Sequence, residues 1–94
     1  MLAAYRQAAL HRETLGVPPL PLDAGQTQAL TELLLQPPAG EAEFLLELLK
    51  ERIPPGVDEA AYVKAAWLKA VAKAELESPL VSPLLATQLL ATMI

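Results

Sequence analysis

The chain has 94 residues, 53% of them hydrophobic but only 4% aromatic, with a net charge of −4 and no cysteine. That length supports one small domain at most, and the absence of cysteine excludes disulfides, thiolate metal sites and a cysteine nucleophile. The acidic balance argues against a basic face for nucleic acid, and no apolar run reaches the roughly 18 residues that a membrane span needs.

The first helix is expected over Leu2–Leu15. Leu2, Tyr5 and Ala9 share a stripe, and Gly16 stands where a terminating glycine belongs. The opening residues carry Arg6, Arg12 and Glu13 and lack the apolar stretch of a signal peptide, so the cytoplasm is the expected location. "VPPLPL" from Val17 cannot be helical, because proline lacks a donor and restricts the residue before it. Asp23 with Gln26 three residues on reads as a capping box for a second helix ending near Leu35, with Ala29, Leu30, Leu33 and Leu34 inward. Gln36-Pro37-Pro38 stops it. Gly40 is the expected cap of a third helix that ends near Glu51 and buries Phe44, Leu45, Leu48 and Leu49. Pro54-Pro55-Gly56 breaks that helix, and Asp58 caps a fourth running to about Leu76. Ser78-Pro79 reads as a short turn. Ser82, followed by proline, caps a fifth helix from Pro83 to Ile94. Alternation is absent and β-branched residues are few, so the fold class is all-α.

The proline pairs begin at 18, 37 and 54, so two helices and their loops repeat every 36 residues. This spacing is close to that of stacked helical repeats, although a plain small bundle breaks its helices as often. The apolar runs favour stacking. "LLL" at Leu33–Leu35 and "FLLELL" at Phe44–Leu49 spread over about 200° of a helix, wide enough for neighbours on more than one side. The fourth helix, rich in alanine, is expected at the centre, with Trp67 and Val63 anchoring the core and lysine stems laid over apolar surface.

Candidate chemistry is sparse. His11 is a lone histidine on a polar helix, and the line Glu43–Glu47–Glu51 reads as a solvated face. No phosphate loop, nucleophile elbow or zinc-helix motif occurs. Catalytic, cofactor and metal residues are therefore expected to be absent. Lys64, Lys69 and Lys73 form the nearest approach to a basic row, and RNA binding through them is the alternative function. The fifth helix is apolar over much of its girth, unlike the polar outer face of a terminal repeat. Its Leu85, Leu89, Leu90 and Ile94 are the expected contact residues for a protein partner, a second copy or a following helix. A stand-alone dimeric adaptor and a domain cut at its C-terminal side both fit that pattern.

The segments "MLAAYRQAALHRETLGVPPLPLDAGQTQALTELL" from Met1, "QPPAGEAEFLLELLKERIPPGVDEAAYVKAAWLKAVAKAE" from Gln36 and "SPLVSPLLATQLLATMI" from Ser78 carry a resemblance, and "PPGVDEAAYVKAA" at Pro54–Ala66 is its most specific part. The chain resembles the N-terminal HEAT-like domain of the bacterial aconitase B family, bifunctional aconitate hydratases and 2-methylisocitrate dehydratases. The resemblance implies helices in antiparallel pairs forming a right-handed HEAT-like superhelix, and a cytoplasmic lyase of the citric acid cycle as the parent. It also implies an iron–sulfur cluster held by cysteines of later domains, and a role for this domain in protein–protein recognition, dimerisation and a switch toward messenger RNA. No catalytic motif of the family falls in these residues, so it implies no site residue here. The remaining domains of the aconitase are the implied partner.

Overall fold

A computed structural model describes residues 1–54 and 58–93. Five helices make up the fold, α1 (Leu2–Thr14), α2 (Ala24–Leu35), α3 (Ala42–Glu51), α4 (Glu59–Ala72) and α5 (Pro83–Ala91), and no strand occurs among the described residues.

The helix starts follow from local chemistry. The Asp23 side chain accepts from the Gln26 backbone N–H, and the Gln26 side chain accepts from the Asp23 N–H, so two orphan donors at the start of α2 are satisfied together. Asp58 accepts from Ala60 N–H at 2.8 Å, and Ser82 accepts from Leu85 N–H at 3.1 Å ahead of Pro83. The start of α3 differs from expectation. Gly40 adopts φ +79° in the turn, and Glu41 is the N-cap residue. Glu41 makes no cap bond because its carboxylate is engaged by Arg6 instead.

The ends are less uniform. Gly16 closes α1 at φ +73°, with its N–H on Glu13 C=O and Val17 N–H on Arg12 C=O, the paired bonds of a Schellman motif. The same pattern stops α4 at Ala72, four residues short of the expected Leu76. Ala74 takes φ +60°, its N–H bonds to Val71 C=O, and Glu75 N–H bonds to Ala70 C=O. The helix α5 ends at Ala91, before the expected Ile94; Ile94, and the Pro55-Gly56 part of the expected break after α3, lie outside the described residues.

Packing runs in a row, α3 against α2, α2 against α4, and α4 against α5. The expected central place of α4 is thus observed, shared with α2. Alanine makes this possible, since Ala60 and Ala61 are buried and let neighbours approach closely. The core is formed by Leu30, Leu34, Leu45, Leu48, Leu49, Trp67, Leu68, Val71, Val81 and Ala86, closed at one end by Leu22 from the proline segment. Leu22 N–H also bonds Arg52 C=O at 2.7 Å, tying that segment to the end of α3. Val63, expected beside Trp67 in the core, is only half-buried and walls a surface groove between α2 and α4. Leu33 and Phe44 are likewise half-buried and pack at the margin of the core, and Ala29 is half-buried.

Two threonines enter the core that hydrophobic patterning passes over. Thr27 and Thr31 are buried on α2, with hydroxyls donating to Asp23 C=O and Gln28 C=O. Bonding their own helix lets their methyl groups pack inward without an orphaned hydroxyl. The Ser78 hydroxyl is more than a turn residue. It donates to Leu34 C=O at 2.6 Å and accepts from Leu80 N–H, fastening the α4–α5 connection to the end of α2.

Candidate interaction site

The four contact residues expected on α5 do not form one exposed face. Leu89 is only 8% exposed and sits in the core with Ala86. Leu85 and Leu90 are half-buried and pack against that core from either flank, and Ile94 lies outside the described residues. The exposed residues of α5 are Pro83, Leu84, Thr87, Gln88 and Ala91. Leu84, 69% exposed, is the bare apolar side chain of this face. The reason is the rotation of the helix: α5 is set against α4 through Ala86 and Leu89, a register that apolar content alone could not choose in a helix apolar nearly all round.

A second apolar surface was not signalled by the helical stripe of α1. Leu10, Leu15, Val17 and Leu20 are all exposed, Leu10 by 61% and Leu20 by 60%. They lie along the outer side of α1 and the proline segment after it. Between these runs a groove of about 620 Å³, with Tyr5, Leu10, Val17, Pro19 and Phe44 in its walls. Composition held the only hint, an apolar excess too large for one small core.

α1 shares no extensive interface with another helix. A clasp to α3 holds it. The Tyr5 and Phe44 rings meet edge to face, 6.0 Å between centroids and 60° between planes. The Arg6 guanidinium lies 4.3 Å from the Phe44 ring centre and donates to both Glu41 oxygens, one at 3.2 Å. Those hydrogen bonds hold the Glu41 carboxyl below the usual carboxylate range and raise Arg6. Arg12 Nε donates to Pro18 C=O at 2.6 Å and fixes the start of the proline segment.

The lysine row is broken. Lys69 and Lys73 are exposed, but Lys64 is only 5% exposed, at a cavity of about 220 Å³ beside the C-terminal ends of α3 and α5. Burial lowers the pKa of Lys64, partly offset by Glu51. The negative ends of the α3 and α5 dipoles lie beside this cavity, and Glu51 favours the charged form. His11, Glu43, Glu47 and Glu51 are all solvent-exposed, as read from their surroundings in the sequence. Among the described residues no three His, Cys, Asp or Glu side chains gather as a metal site would require, and no helix is long and apolar enough to cross a membrane.

The model of the aconitate B N-terminal domain family matches residues 4–94. The chain belongs to that family. Aconitate hydratase B of Escherichia coli (strain K12) is 59% identical over 93 residues, 99% of this chain and 11% of that protein. The Synechocystis aconitate hydratase B is 57% identical over 94 residues, and that of Helicobacter pylori (strain J99) 46% over 93. In each case this aconitate B N-terminal domain spans 11% of the relative's length. The resemblance drawn from "PPGVDEAAYVKAA" and its flanks therefore holds over the whole chain.

Proposed function

We propose that this chain is the non-catalytic, protein-binding N-terminal part of a cytoplasmic aconitate hydratase B, the enzyme that interconverts citrate and isocitrate through cis-aconitate. The observation that carries this reading is the combination of 59% identity across 99% of the chain with coverage of only 11% of the relative. The side chains fit it. They include no cysteine, so the donor set does not suit an iron–sulfur cluster, which residues outside this stretch would hold. What they do supply is a row of packed helices with extents of 42 × 32 × 19 Å and uncovered apolar faces. We read the row as part of a HEAT-like superhelix.

The outer side of α5 is the contact face of this reading, with Leu84 at its centre and Leu85 and Leu90 at its margins. In the whole enzyme a following helix or another domain covers it; in the isolated chain a second copy does. Removing Leu84 from water is worth roughly 1.5–3 kcal/mol per copy before association costs. Light scattering on the isolated chain should give a dimer, and Leu84→Glu a monomer with unchanged helix content, whose melt no longer rises with protein concentration as the parent's does. A parental monomer, or a dimer that survives Leu84→Glu, would place the contact elsewhere. The isolated chain should not dehydrate citrate, and turnover would overturn the non-catalytic assignment.

A further inference from the structure

We draw no further inference here: the strongest candidate, the apolar patch that Leu10, Leu15, Val17 and Leu20 form along the outer side of α1 and the proline segment, is an unpartnered face, and nothing in the structure shows what covers it.

Discussion

Ala74 holds a backbone position that favours glycine. At φ +60° its Cβ crowds the backbone, a penalty of about 1–2 kcal/mol for an L-residue. It is the one non-glycine residue with positive φ among the described residues, and the two bonds that end α4 depend on it. Ala74→Gly should raise stability by about 0.5–1 kcal/mol after the entropy of a more flexible unfolded chain is deducted. Urea unfolding should show a higher midpoint with the same slope; a lower midpoint would mean that the strain is relieved in some other way. This position also explains why the end of α4 was illegible. Lys73, Ala74, Glu75 and Leu76 are all good helix formers, so nothing in their propensities announces a stop. Gly16, by contrast, declares the end of α1 openly.

Lys64 is a second residue whose role the sequence conceals. It reads as one of three evenly matched lysines, yet its place beside the C-terminal ends of α3 and α5 buries it, while Lys69 and Lys73 stay in water. Its folded pKa lies below that of an exposed lysine, so the charged form opposes folding at neutral pH. As pH rises through that lowered value, the folded chain releases its proton before the unfolded chain does, and stability increases until the ordinary lysine range is reached. Lys64→Met should stabilise the neutral-pH fold by about 1 kcal/mol and abolish this alkaline gain. The check is the pH dependence of denaturant midpoints for the two proteins. Loss of stability in the variant at pH 7 would show that the two helix ends and Glu51 outweigh desolvation.

At the scale of elements, legibility followed the caps. The Asp23–Gln26 box, Asp58 and Ser82 are short-range signals, and each cap bond forms where it was expected. Rotation about the helix axis is a long-range property that a helix apolar nearly all round does not encode locally. Leu89, expected on the contact face, is core, and Leu84 is bare. For α1 the tie to α3 could not be foreseen, because Arg6 and Glu41 lie 35 residues apart. That tie is pH-sensitive. Glu41 has a folded pKa below the usual carboxylate range, so its contribution is present at neutral pH and is lost as pH falls through that depressed value. Amide hydrogen exchange should show α1 opening more readily than α2 or α4, and more readily still in Glu41→Gln at neutral pH. Equal protection of α1 in parent and variant would assign its docking to apolar packing by Leu2, Tyr5, Ala9 and Phe44.

On the scale of the whole molecule, two properties meet. The surface is 5844 Å², more than the roughly 5,300 Å² expected for a compact chain of this mass, and its exposed leucines include Leu10, Leu15, Leu20 and Leu84. A free-standing domain of 94 residues gains nothing from such exposure, whereas a segment of a longer superhelix uses each uncovered face for its next neighbour. The high apolar and low aromatic content made the excess visible in the sequence; which leucines carry it required the fold. The most direct measurement is the size of the native polypeptide in its host, by denaturing gel and an antibody raised to this chain. A band several times larger than 10.1 kDa is the predicted result, with these residues forming part of an aconitate hydratase B. A single band near 10.1 kDa would contradict it and make the chain a free-standing helical adaptor.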